Sequence, residues 1–75
     1  MKTYKNLSGN SGIATYETGR TFIKIKFKGE SGIYIYDYDV PGRQMVEEMK
    51  TLALKGQGLS TYILEEVGNN YSGKK

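Results

Sequence analysis

Hydrophobic and polar residues alternate most regularly between Thr21 and Lys28, where Ile23, Ile25 and Phe27 are separated by single lysines. A period of two predicts a β-strand with one apolar face. The turn-forming residues 29–32 follow, and the run from Gly32 to Tyr38 is rich in Ile and Tyr. This order predicts an antiparallel hairpin with lysines on one strand and tyrosines on the other.

A shorter strand is predicted over Ile13 to Glu17, after a turn-rich opening over Ser8 to Gly12. Val40-Pro41 ends the extended region, because proline donates no ladder hydrogen bond but suits the first turn of a helix. The helix predicted next has one apolar stripe, made of Met45, Val46, Met49, Leu52 and Ala53.

A turn over Lys55 to Gly58 should stop this helix, since two of its four residues are glycine. Leu59 and Ser60 then resemble a hydrophobic staple and an N-cap, with Leu64 as the partner of the staple in a short second helix through Val67. The residues from Asn69 onwards predict a frayed tail on which Tyr71 could still dock.

The predicted fold is α+β: a three-stranded antiparallel meander, or a four-stranded one, packed on one face by a C-terminal amphipathic helix and followed by a short second helix. With 75 residues the chain predicts a single domain over 1–75. Its core is expected over about 7–71, with a frayed tail at 72–75. A core this small is marginal and gains from a partner or self-association.

Charge is distributed unevenly along the chain. Residues 1–28 contain six basic residues and one glutamate, a net charge of +5, whereas residues 29–67 contain three basic and seven acidic residues, a net charge of −4. This asymmetry favours an oriented contact with a polyanion. Lysines on an exposed strand also prevent edge-to-edge aggregation, and this alternative explains them about equally well.

The composition argues against catalysis and predicts no metal or cofactor. The chain has no histidine and no cysteine, so the commonest general base and the usual soft metal ligands are missing. Adjacent glutamates in the two helices point in different directions. Asp37 and Asp39 share a strand face, but capping explains them better than a cation site. The turn from Lys55 to Ser60 does not match a phosphate-binding loop.

No segment approaches the roughly 20 apolar residues of a membrane span, and the first residues lack the apolar stretch of a signal peptide. We therefore expect no membrane contact and a cytoplasmic location.

The order of these elements resembles the KTSC domain, a small module named for its occurrence at the C-terminus of some lysyl-tRNA synthetases and also found alone in bacteria. The resemblance spans residues 7–71 and implies a non-enzymatic binding domain with RNA binding as its suggested role. The segments that carry it are Ser11-Gly12-Ile13, Ile23 to Phe27, Tyr34 and Tyr36 with one residue between them, Val40-Pro41, Lys55-Gly56 and Tyr71.

Two features depart from the family pattern. The turn between Phe27 and Tyr34 is one residue longer, and the second helix lacks the expected basic residues. If relatives bind RNA through that helix, this chain has lost the activity or moved it to the lysine strand.

The register of the hairpin decides what each face displays. A turn of two or four residues places Tyr34 opposite Phe27 and Tyr36 opposite Ile25, which leaves the lysines on the outer face with Ile33 and Ile35. A three-residue turn with a bulge instead puts the tyrosines beside the lysines, as in a single-strand binder. The register with the three-residue turn separates Ile from Lys cleanly, which favours it. The family resemblance favours the register with the even turn, and we prefer that one.

The leading hypothesis is a non-catalytic module that binds RNA or another phosphate-bearing polyanion. The alternative is a protein-interaction or self-associating module, such as a homodimer or a mobile-element product that sequesters a host protein or nucleotide, with Ile33 and Ile35 as interface residues. The candidate ligand-binding residues of the leading hypothesis are Arg20, Lys24, Lys26, Lys28, Tyr34, Tyr36 and Tyr38.

Overall fold

The computed structural model describes residues 1–7, 9 and 11–75 and shows an antiparallel sheet of five strands in sequence order, covered on one side by helices. Its strands are β1 (Lys2–Thr3), β2 (Ile13–Thr18), β3 (Phe22–Phe27), β4 (Ile33–Asp37) and β5 (Gly73–Lys74). Helix α1 spans Arg43–Lys55, and α2 spans Leu59–Tyr62 and continues as a π-helical turn over Ile63–Val67. The α+β class is confirmed, whereas the expected strand count of three or four is wrong.

The two strands missing from the prediction are the short outer ones. β1 pairs with β2, and Tyr4, which follows β1, is buried in the core. β5 pairs with β4, so the tail expected at 72–75 is ordered by backbone hydrogen bonds. Tyr71 docks against the core, as the sequence suggested. The expected core limits of 7–71 are therefore too narrow at both ends, and the turn predicted across Ser8 to Gly12 includes Ser8 and Asn10, which lie outside the described residues.

The hairpin of β3 and β4 has the preferred arrangement of faces, but its pairing is shifted. Tyr34 lies opposite Ile25 and Tyr36 opposite Ile23, a shift of two residues along β3 from the predicted partners. An even shift leaves every side chain on the same face. The last pair, Lys26 with Ile33, leaves six residues in the connection, again an even number. The tyrosines therefore share the inner face with the buried isoleucines of β3.

Helix α1 covers this inner face through the apolar stripe that the sequence predicted. Val46, Met49 and Ala53 are buried on it. Its N-cap is Gly42, so Pro41 precedes the helix and does not form its first turn. At its other end Gly56 adopts a left-handed conformation, with φ of 80°, and its amide bonds back to the carbonyls of residues 52 and 53.

Helix α2 begins two residues earlier than the predicted N-cap implied. Gly58 is the N-cap and Leu59 the first helical residue, so Ser60 is not a cap. Leu59 is fully buried, but Leu64 is 81% exposed, which excludes the predicted staple between them. The π-helical turn ends where the Gly68 amide donates to the Ile63 carbonyl at 2.6 Å. This turn leaves Leu64 at the surface and buries Ile63 and Val67.

Candidate functional site

The outer face of the sheet is defined here by Phe22, Lys24, Lys26, Ile33 and Ile35. The sequence singled out all of these residues except Phe22. In the described part of the chain, both helices pack on the opposite side, and the core draws its β3 and β4 residues from the inner face. No second layer of the described structure covers the outer face. All five of its residues are half-buried by their neighbours in the sheet.

Lys24 and Lys26 lie in the central strand, each directly opposite an isoleucine. Lys24 pairs with Ile35, and Lys26 pairs with Ile33. Such cross-strand neighbours lie close enough for the lysine stems to pack on the aliphatic side chains while the ammonium groups reach water. Within the described residues neither ammonium forms an ion pair, since the two pairs present join Lys50 to Glu47 and Lys74 to Glu30. Glu17 on β2 lies directly opposite Lys24 on this face, but no ion pair joins them within the described residues, so both ammonium groups remain available to an external anion.

Arg20 and Lys28 lie beyond the two ends of β3, at its entry and its exit. Both are exposed. The main chain at Arg20 is held by its carbonyl, which accepts hydrogen bonds from the Lys50 ammonium at 2.8 Å and the Tyr38 hydroxyl at 3.1 Å. Lys28 lies in the turn after the strand, so it extends the line of charge without belonging to the strand face. The four basic residues thus follow the length of β3, about 20 Å.

Phe22 is an outer-face residue that the sequence reasoning did not select. Its position is an even number of residues from Lys24 and Lys26, so the strand alternation alone could have placed it beside them. Its ring packs against Gly19, where a side chain would overlap it. The Lys24 ammonium lies 5.4 Å from the ring centroid. Phe22 therefore contributes the aromatic surface that the tyrosines were expected to contribute.

The three tyrosines lie on the inner side, away from Lys24 and Lys26. Tyr36 is 1% exposed and belongs to the core, so its ring cannot stack on a ligand. Tyr34 is half-buried, and its hydroxyl donates to Glu30 Oε1 at 2.9 Å. The structure therefore brings the lysines together with Ile33 and Ile35 and separates them from the tyrosines.

Tyr38 connects the sheet to helix α1. Its hydroxyl lies 2.7 Å from Glu47 Oε2, a carboxylate oxygen that also accepts from the Lys50 ammonium at 2.9 Å. The hydrogen bonds from Lys50 and Tyr38 lower the pKa of Glu47, and the bond to Glu47 raises the pKa of Tyr38. Arg43 and Lys50 both lie near the Tyr38 ring. Tyr38 thus joins the sheet to helix α1, and its hydroxyl is occupied by hydrogen bonds to Glu47 and to the Arg20 carbonyl.

Tyr36 gives the protein a specific sensitivity to alkaline pH. Burial raises its pKa from 10.0 to about 12, helped by the neighbouring Tyr34 and Tyr71 phenols and Glu30. Above pH 10 the unfolded chain releases this proton while the folded chain keeps it, so stability is present below pH 10 and is lost as pH rises towards 12. We expect the free energy of unfolding, measured in urea at pH 8 to 12, to fall less steeply for Tyr36→Phe than for the wild type. Equal slopes would contradict this assignment.

The acidic residues at the end of β4 form a turn. Asp37 Oδ1 accepts hydrogen bonds from the amides of Asp39 and Val40, each at 3.0 Å, and hydrogen bonding to Val40 lowers the pKa of Asp37. This favours the predicted capping role, although the bonds close a turn and do not cap a helix. Among residues 1–7, 9 and 11–75, no acidic side chains cluster as metal ligands. None of the helices in this part of the chain has the length and apolar character needed to cross a bilayer.

Comparisons with protein-family models, with curated proteins and with solved structures found no match to this chain.

Proposed function

We propose that this protein is a non-catalytic, KTSC-like binding module of the cytoplasm whose outer face binds single-stranded RNA or a similar phosphate polymer. The observation that carries the proposal is a pair of lysines, Lys24 and Lys26, at the centre of a sheet face that the described residues leave uncovered and without ion-pair partners for either lysine. Lysines bind phosphate oxygens by charge, and each contact releases counterions from the polymer. Arg20 and Lys28 extend this line of charge in both directions.

Phe22 and the aliphatic residues complete the chemistry of this surface. An aromatic ring on a sheet gives a base a surface on which to stack, and stacking tolerates any base sequence. Ile33 and Ile35 offer apolar contact to bases and sugars beside the two ammonium groups. With one ring and four cations, we expect weak, salt-dependent binding with little sequence preference. The second helix contributes no charge of the right sign, since its exposed end contains Glu65 and Glu66.

A protein-interaction module is the second candidate, and the pair Ile33 and Ile35 favours it. Two isoleucines and one phenylalanine on a face without a second layer form an apolar strip of the kind that a second copy or another protein can cover. In this alternative the lysines surround the interface and set its orientation. Self-association is the version that the purified chain can reveal directly.

The two candidates are separated by titrating labelled single-stranded RNA of mixed sequence with the protein at 50 and 200 mM salt, alongside the mass measured by light scattering. Four phosphate contacts on a single strand predict a salt slope of about 2.8, so binding should weaken about 50-fold over this range. Absence of binding at 50 mM salt would overturn the RNA proposal, and a dimeric mass in the same sample would favour self-association.

A further inference from the structure

A cleft of about 320 Å³ opens on the inner side of the sheet, at the end opposite Tyr38. It lies between the β3–β4 connection, the π-helical turn and Tyr71, and its volume suits a small ligand or a single side chain. The outer face and its lysines are not part of it. The lining residues that matter here are Phe27, Glu30, Tyr34, Tyr36, Leu64 and Tyr71.

Tyr36 lines this cleft, and its hydroxyl has no hydrogen-bond partner in the described structure. The residue is 1% exposed. Within residues 1–7, 9 and 11–75, every fully enclosed side-chain oxygen or nitrogen has a hydrogen-bond partner. The Tyr36 hydroxyl has none there, so it is not fully enclosed, and the cleft that Tyr36 lines gives access to it. A ligand that displaced water from this hydroxyl without bonding to it would lose free energy, so whatever fills the cleft is expected to bond to it.

The electrostatics of the cleft favour a cation. Glu30 is the only charged residue of the lining. The ring of Tyr34 is nearly perpendicular to two neighbouring rings. The interplanar angle is 80° with Phe27 and 89° with Tyr71. These rings pack edge to face, with centroids 5.2 and 4.9 Å apart, and form one wall of the cleft. Ring faces carry partial negative charge, so ring faces beside a carboxylate attract an ammonium group.

The protein already holds one ammonium group at the rim. Lys74, in β5, places its Nζ 5.0 Å from the Tyr34 ring centroid and 3.7 Å from Glu30 Oε1. Its alkyl stem packs over Gly32, where an added Cβ would lie 2.5 Å from Lys74 Cε. The same ring and carboxylate face the cleft. An alkylammonium group is thus a chemistry that these residues accept.

We propose that the cleft binds an alkylammonium group, as a free amine or as a lysine side chain of a partner. Glu30 balances its charge, the Tyr34 and Tyr71 rings contact its alkyl chain, and the Tyr36 hydroxyl accepts a hydrogen bond from its N–H. Leu64, exposed at the rim, extends the apolar contact. Lys74 competes for Glu30 from outside the cleft. This site is independent of the RNA proposal, since it uses the other side of the sheet.

The test is a titration of ¹⁵N-labelled protein with n-butylammonium, with 1-butanol as the neutral probe of equal chain length, and with a short blocked peptide containing one lysine. Butylammonium or the peptide should shift the amides around Tyr34, Gly68 and Tyr71 with a dissociation constant on the order of millimolar. The tighter of these two identifies the source of the amine. Failure of both to shift these amides, or equal shifts with 1-butanol, would overturn the proposal.

Two variants and a matched control assign the interaction to named groups. Glu30→Gln should weaken butylammonium binding at least fivefold, and Tyr36→Phe about threefold. Glu17→Gln, which removes the same charge from an exposed position on the outer side of the sheet, should leave binding unchanged. Lys74→Gln should strengthen binding about twofold by removing the competitor. Wild-type affinity in Glu30→Gln, with its spectrum showing a folded chain, would also overturn the proposal.

Discussion

Ile25→Ala is expected to lower the free energy of unfolding by about 3 kcal/mol. Ile25 lies in the central strand, between Tyr16 on β2 and Tyr34 on β4, and is fully buried beneath the helices. Removing three carbons there leaves a cavity that a sheet cannot close by local movement. A domain of this size has a total stability of roughly 4 to 11 kcal/mol, so the loss is a large fraction of it. Urea unfolding followed by circular dichroism measures the change.

Ile35→Ala is the matched control, because it removes the same atoms from the opposite face of the neighbouring strand. Ile35 is half-buried and has no helix above it. We expect a loss of about 1 kcal/mol or less. A loss at Ile35 equal to that at Ile25 would mean that the outer face is covered in solution, as the self-association candidate requires.

Joint replacement of Lys24 and Lys26 by glutamate is expected to weaken RNA binding on the order of 100-fold at low salt, because two attractive phosphate contacts become repulsive. The salt slope should fall by about 1.4, the share of two phosphate contacts on a single strand. Both side chains lie on the outer face away from the core, so the fold should persist. Fluorescence anisotropy with labelled RNA measures both quantities.

The control for this experiment is a double variant with the same change of net charge elsewhere. Lys2 and Lys55 are both exposed; Lys2 lies opposite Tyr16 on the inner side and Lys55 ends helix α1. Their replacement by glutamate should reduce affinity only through long-range charge, by a few-fold. Equal losses in the two double variants would show that binding follows net charge and would remove Lys24 and Lys26 from the site.

The alternation around Ile23 and Ile25 was sufficient to predict strand β3 and its buried face, because a period of two fixes which side chains share a surface. The alternation did not determine which side chains of the neighbouring strand, β4, face the core. Residues 33–38 are apolar or aromatic at nearly every position, so either set could face the core. The inward direction of Tyr34 and Tyr36 came from the KTSC resemblance and agrees with the structure, whereas the pairing was wrong by two residues.

The candidate site was predicted in part for the same reason. Lys24, Lys26, Ile33 and Ile35 share a face because strand periodicity requires it once the register is even. Phe22 follows the same rule and was available from the sequence. The inner cleft was not, since it joins Glu30 in a turn, Tyr71 near the chain end and Leu64 on a π-helical turn. Those residues are far apart in sequence, and no local pattern brings them together.

Local periodicity was enough to predict the α+β class, the central strand and the apolar stripe of α1. It could not predict that β1 and β5 join the sheet, that Tyr36 is buried, or that Lys74 pairs with Glu30, because these depend on contacts between segments distant in sequence. β1 and β5 have two residues each and are held by backbone hydrogen bonds. Nearly every residue type can form such bonds, so these strands leave no pattern in the sequence. Their pairing depends on which edges the completed sheet leaves open.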